Sequence, residues 1–406
     1  MKNELQEEAI ITRLIERIES GNTYILKEIG KAVREISKLT PTQAYQLQQM
    51  IEYGASYQTI IERLSKITNM NANEIDGIFQ EYAKKDYQFA EKFYKYRNIN
   101  YVPFNEMTAL KQEISAISKL TKGTYINLSK TSVLGFTIKD ASGVSKFYKI
   151  KDAYSYVIDQ AILSISQGKD TFDNQMYSIL KSLGESGIKT VDYASGVSRR
   201  LDSAIRMNLR EGIKTLHNET QRIIGEDIDA DGVEISVHEN PAEDHEDVQG
   251  RQFSFEEFEK LQNGETAKSY NGLTFEPIHK NKDRRPISEL NCYHTILTIV
   301  LGVSKPLYSN EQLEQIKERN EKGFLFEGKH YTMYQGTQLQ RRLETELRKQ
   351  KDVQMLAVET DNKQLIIDAQ LKITYLTDRY KALSDASNLQ TKMQRLRVAG
   401  YHRKKI

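Results

Sequence analysis

The chain has 406 residues, 38% of them apolar and 28% charged, with a formal net charge of +2 at neutral pH. That length has room for two or three domains and a sizeable core, and no run approaches the ~20 apolar residues that cross a bilayer. A single cysteine, Cys292, excludes an intrachain disulfide and fits a reducing compartment. The acidic opening stretch, with Glu4, Glu7 and Glu8, lacks the apolar core of a signal peptide, so cytosolic synthesis is expected.

Residues 1–122 read as an N-terminal helical region. Leu5, Ile10, Leu14, Ile15 and Ile18 recur at helical spacing. Pro41 follows the capping residue Thr40, and Asn71 with Glu74 has the form of a capping box opening a new helix. Tyr82, Tyr87, Tyr94 and Tyr96 are expected to pack against neighbouring helices more than to stack on bases. Asn105, after Pro103, is placed to cap a helix running to about Leu120.

Residues 123–232 read as an irregular connection followed by a helical bundle. Gly123, Gly135 and Gly143 suggest a hairpin over 123–150. Helices are expected at 151–167, 170–183 and 198–224, broken at Gly168, Gly184 and Gly187. The run from Asp227 to Gly232 has the D-x-D-x-D-G form of half a calcium loop, but His238 stands at the twelfth position, where a bidentate glutamate is required. A turn with Gly232 at positive φ accounts for it better.

Residues 233–308 read as a compact α+β unit opening on the alternating Val233, Ile235 and Val237. His238, His245, Cys292 and His294 lie within it. These are zinc-binding types, and four such ligands close a tetrahedral structural site. The alternative is a hydrogen-bonded frame of buried histidines with Cys292 as a small apolar filler. Glycine-rich phosphate loops, H-E-x-x-H helices and G-x-S-x-G elbows do not occur, so no enzyme activity is expected.

Residues 309–406 read as a short helix near 311–322, a hairpin turning at Glu327-Gly328, and long basic helices with a break near Asp361-Asn362. Charge is segregated along the chain. Residues 226–263 hold thirteen acidic side chains against Arg251 and Lys260, whereas 336–406 hold fifteen basic against eight acidic. Arg341, Arg342, Arg348 and Lys349 are expected to be available for double-stranded DNA phosphates or an acidic protein ring. Leu339, Leu343 and Leu347 form the candidate apolar docking stripe. The whole is mainly α with a small α+β domain, elongated helical arms flanking a compact His/Cys-containing unit.

Several separated blocks resemble one family in the right order. They are Ile188 to Gly196, Leu201 to Arg206, Ser236-Val237-His238, His245, Gln249-Gly250, Asn291 to His294, Gly328 to Tyr334, Gln338 to Glu344, and Arg395 to Tyr401. Together they are similar to the phage minor capsid protein family of siphophages of Gram-positive hosts, over about the last 220 residues. The family's Gly-Ala-Arg-Pro is Asn240-Pro241-Ala242-Glu243 here, its tryptophan is Val248, and its arginine between Cys and His is Tyr293. The resemblance implies a low-copy virion protein of head morphogenesis, made in the bacterial cytoplasm. Its implied partners are the portal protein and the major capsid or scaffold protein, with no membrane. Two classes stay open: a structural assembly protein, or a metal-dependent enzyme or effector packaged in the head and delivered with the genome.

Overall fold

The computed structural model describes residues 2–44, 54–96, 98–140, 142–167, 169–192, 195–289 and 292–402. Helix α1 (Lys2–Ile36) buries Ile11, Leu14, Ile15, Ile18, Ile25, Leu26 and Ile29, which recur every three to four residues and so share one face. The side chains of Leu5 and Ile10 lie outside the described set. Thr40 does cap a turn: its hydroxyl accepts from the Gln43 amide, and the Gln43 side chain accepts from the Thr40 amide.

Helix α2 (Gly54–Phe89) runs straight through the expected start at Asn71. Asn71 is fully buried there; its Nδ2 donates to the Leu14 carbonyl at 3.1 Å and its Oδ1 accepts from Arg17 at 3.2 Å. Glu74 receives Arg17 at 2.5 Å and Arg13 at 3.0 Å. Both polar groups of the apparent capping box are therefore committed to α1 instead of to a helix end. Tyr87 near the end of α2 and Tyr94 in the short α3 (Glu91–Tyr96) are buried, and their hydroxyls donate to Val102 O at 2.9 Å and Asp227 Oδ2 at 2.6 Å. These two rings serve the core, as expected; the Tyr96 side chain is outside the described set.

Helix α4 (Thr108–Leu128) starts after Met107, not at an Asn105 cap, and carries Gly123 in its interior. Strands β1 (Leu134–Lys139) and β2 (Ser145–Lys149) form the hairpin, and helices α5 (Ile150–Ser166) and α6 (Lys169–Ser186) follow. Gly184 does not break α6. A Cβ there would lie 2.7 Å from the Val353 Cα, so the glycine permits a close helix crossing. Strands β3 (Lys189–Val191) and β4 (Ser198–Arg200) complete an antiparallel sheet in the order β2-β1-β3-β4, and α7 (Leu201–Asp227) leaves its edge.

The turn after α7 takes its positive φ at Asp229. Gly232 instead opens strand β5 (Gly232–Ile235), where a Cβ would sit 2.5 Å from the Phe253 carbonyl. Strand β6 (Gln252–Ser254), helix α8 (Phe255–Gln262), two small hairpins β7–β8 (Ala267–Lys268 and Thr274–Phe275) and β9–β10 (Ile278–His279 and Lys282–Asp283), and strand β11 (Ile296–Ile299) follow. β11, β5 and β6 form an antiparallel sheet over Val233, Ile235, Val248, Phe253 and Ile287.

Helix α9 (Asn310–Lys322) starts on a Ser309/Gln312 capping box. The hairpin β12 (Phe324–Phe326) and β13 (Lys329–Tyr331) turns at Glu327 and Gly328, both at positive φ. Helices α10 (Met333–Glu359) and α11 (Lys363–Ser387) break at Asp361-Asn362, where Asn362 caps the second. Residues from both ends of the chain, Ile11 and Ala369 among them, share the main hydrophobic cluster. The chain is thus mainly helical with small antiparallel sheets, and His217 joins the two parts: Nε2 donates to the Ile296 carbonyl at 3.0 Å while Nδ1 meets Asp86 at 2.9 Å.

Candidate metal centre

Pairing of β5 with β11 continues one step past the strands, since Ser236 N donates to Thr295 O and Thr295 N to Ser236 Oγ. This register brings His238 and the Cys292–His294 segment to the same end of the sheet. The loop of 239–251 then folds back through a turn in which Gln249 N donates to the His245 carbonyl, and Gly250 closes it at φ 68°. His245 is thereby carried under the sheet end.

Three of the four expected ligands come together. His245, Cys292 and His294 are buried, with their ligand atoms all within 4.8 Å of one another. Cys292 Sγ lies 3.5 Å from His245 Nδ1 and 3.4 Å from His294 Nδ1. His238 stands beside them rather than among them, its ring edge-on to His294 with centroids 4.7 Å apart. Burial pushes the His245 imidazole down and the Cys292 thiol up. His294 lies well below the usual imidazole range, through burial first and then through His238 and His245. Each shift favours the uncharged side chain.

An arginine pair that sequence reasoning passed over holds this loop in place. Arg284 grips Asp247 through Nη1 and Nη2, at 2.7 and 2.9 Å, and donates to the Asp244 carbonyl. Arg285 grips the Asp244 carboxylate likewise, and its own carbonyl accepts from His245 Nε2 at 2.8 Å. Lys282 meets Glu243, and both His279 and Lys280 meet Glu246. The acidic loop Glu243, Asp244, Glu246 and Asp247 is therefore paired by residues 279–285, a correction at these four positions to the unopposed field expected from composition. The basic run Lys280 to Arg285, lying in the same short segment as Glu243 to Asp247, was the signal available.

The expected partner-binding residues divide. Leu339, Leu343 and Leu347 are not a surface stripe: they are buried in a cluster with Ile373, Tyr380, Leu383 and Leu396. The four-residue spacing that suggested a docking face is used against α11. Arg348 is also internal, 3.3 Å from Asp202 and 4.0 Å from Glu19. Lys349 pairs with Glu346 at 2.6 Å, and Arg342 is exposed. Arg341 reaches the loop of the His/Cys cluster, its guanidinium 5.0 Å from the Tyr293 ring centroid, with Arg210 at 4.8 Å from the same centroid. Arg403, Lys404 and Lys405 lie outside the described residues.

The fold and this cluster define a mainly helical protein with small antiparallel sheets, whose buried His/Cys group lies at the end of the β11-β5-β6 sheet and is fixed by ion-paired loops. The family model for phage minor capsid protein 2 matches residues 3–384, nearly the whole chain, and the chain belongs to that family. The match takes in the N-terminal helices that the sequence blocks covered only loosely. It makes the chain a capsid protein, a structural component of the phage virion. No curated protein and no solved structure matches the chain. Among the described residues no helix is long and apolar enough to cross a membrane.

Proposed function

We propose that the chain is a low-copy structural component of the phage head that docks on the portal ring by a protein–protein surface, and that it acts by assembly and not by catalysis. The family match carries this reading. The distribution of apolar surface supports a protein partner. With Leu339, Leu343 and Leu347 buried, the outward side of α11 presents Ile367, Leu371 and Tyr375 at four-residue spacing, 40%, 64% and 61% exposed. Such a stripe is unusual on a helix whose other face is already packed.

A DNA role for the basic C-terminal region has weaker support. Arg348 is committed to buried carboxylates, Arg395 lies 3.8 Å from Glu344, and Lys351 donates to the Leu396 carbonyl. Fewer cations face solvent than the count of fifteen implies.

The test is incorporation into heads. A Leu371→Asp/Tyr375→Asp variant should keep native helicity, yet be missing from purified heads and fail to bind isolated portal rings. Undiminished incorporation would exclude α11 as the anchor. Retention that falls with salt, on heads filled with DNA but not on empty ones, would shift the reading to phosphate contact.

A further inference from the structure

We propose that His245, Cys292 and His294 bind one Zn2+, through Nδ1, Sγ and Nδ1. The outer ring nitrogens fix the tautomers of both histidines. His245 Nε2 lies 2.8 Å from the Arg285 carbonyl oxygen, which can only accept, so that nitrogen carries the proton. His294 Nε2 lies 3.2 Å from Gln249 Oε1. The orientation of that amide is set independently, because Oε1 also accepts the His238 backbone N–H at 2.9 Å. His294 Nε2 is therefore a donor as well.

Both Nδ1 atoms are consequently bare lone pairs, and both face the same sulfur at 3.4–3.5 Å. A thiol has one hydrogen and can satisfy one of them. The backbone N–H of His294 donates to the same sulfur at 3.4 Å, a contact that favours the thiolate form. A divalent ion resolves the conflict: the thiol proton leaves to solvent, and Sγ and both Nδ1 donate electron pairs to the metal.

The spacing fits. Zn–S of about 2.3 Å and Zn–N of about 2.1 Å at tetrahedral angles place sulfur and nitrogen about 3.6 Å apart, close to the two distances seen. Imidazoles that ligate metal usually hold their far N–H against a carbonyl or carboxylate, as both do here. One thiolate with two imidazoles selects zinc over the oxygen-seeking Mg2+ and Ca2+. The ion would join the loop of 239–251 to the segment before β11, closing the open end of the β11-β5-β6 sheet. This inference does not depend on where the protein docks.

The experiment uses the full-length protein. Metal content is measured as purified, then the protein is stripped with chelator and titrated with Zn2+ and, separately, with Co2+. One zinc per chain is expected, released with a fall in melting temperature. Co2+ should give a thiolate charge-transfer band in the near ultraviolet, which Cys292→Ser abolishes and His245→Ala weakens at unchanged helicity. The Co2+ spectrum of the wild-type chain decides the matter even if a variant fails to fold. Absence of that band, or zinc uptake no greater than in Cys292→Ser, overturns the proposal.

Discussion

Arg285 holds Asp244 from 41 positions away, Nε on Oδ2 at 2.6 Å and Nη2 on Oδ1 at 2.9 Å, while its backbone oxygen receives the very next residue, His245. One arginine thus fixes both the loop and the tautomer of a cluster histidine. The side chain can be removed without removing the carbonyl, which separates the two roles.

Arg285→Ala should destabilise by about 2 kcal/mol, the scale for hydrogen bonds to a charged group. Burial works to raise the Asp244 pKa, but the Arg285 guanidinium outweighs it and holds the carboxyl below its ordinary range. A depressed carboxyl contributes stability above its unfolded pKa and loses it as pH falls through the folded one. Urea denaturation should therefore show wild type and variant converging in acid. A constant gap from pH 7 down to acid would refute the assignment.

A second ionic group lies where α1, α7 and α10 meet. Glu19, Asp202 and Asp352 are buried with Arg200 and Arg348, three carboxylates against two guanidiniums, with Arg200 3.3 Å from Asp202 and from Asp352. Burial of three carboxyls together disfavours ionising all of them. Burial, reinforced by Asp202, pushes Glu19 up to about 8, and burial lifts Asp352 to about 6. A carboxyl raised on folding makes stability fall as pH rises from its unfolded toward its folded pKa. Stability should decline between about pH 4.5 and 8 on this account, and Glu19→Gln should flatten that decline. Parallel pH profiles for the two proteins would show that Glu19 is not the proton holder.

Leu347, 1% exposed, sits among the α10–α11 contacts. Leu347→Ala should cost about 2–5 kcal/mol, as cavity-forming core changes do. The exposed Arg342 replaced by alanine should change stability by less than about 0.5 kcal/mol. Chemical denaturation of both separates a core stripe from a docking stripe; a near-neutral Leu347→Ala would return it to the surface.

Tyr293 is flanked by Arg210 from α7 and Arg341 from α10, each within about 5 Å of the ring. Tyr293→Leu should cost about 1 kcal/mol from the two cation–ring contacts. A double-mutant cycle with Arg341→Ala should return a coupling of about 0.5–1 kcal/mol. Strict additivity would mean that the stack contributes nothing.

Local information was enough where one segment settles its own conformation. The Glu327-Gly328 turn, the break at Asp361-Asn362 and the helix after Ser309 follow from backbone preferences and caps within four residues of each site. The His/Cys residues were legible as a set because they share one short segment. Their arrangement was not: three converge and His238 stands aside, because the register of β5 on β11 and the turn at Gly250 place them.

Composition, periodicity and the spaced sequence blocks determined by themselves that this is a helical capsid-family chain with a small sheet carrying histidines and a cysteine. Tertiary structure alone decided which polar and apolar patterns face inward. Asn71 and Glu74 look like a helix start, yet they spend their hydrogen bonds on α1. Leu339, Leu343 and Leu347 look like a free stripe, yet α11 covers them. The acidic run looks unopposed, yet Arg284 and Arg285 arrive from 37 to 41 positions away. A pattern along the chain shows that a residue can bury or pair; only the packing of distant segments supplies the partner, since burial energy depends on what is adjacent in space and not in sequence.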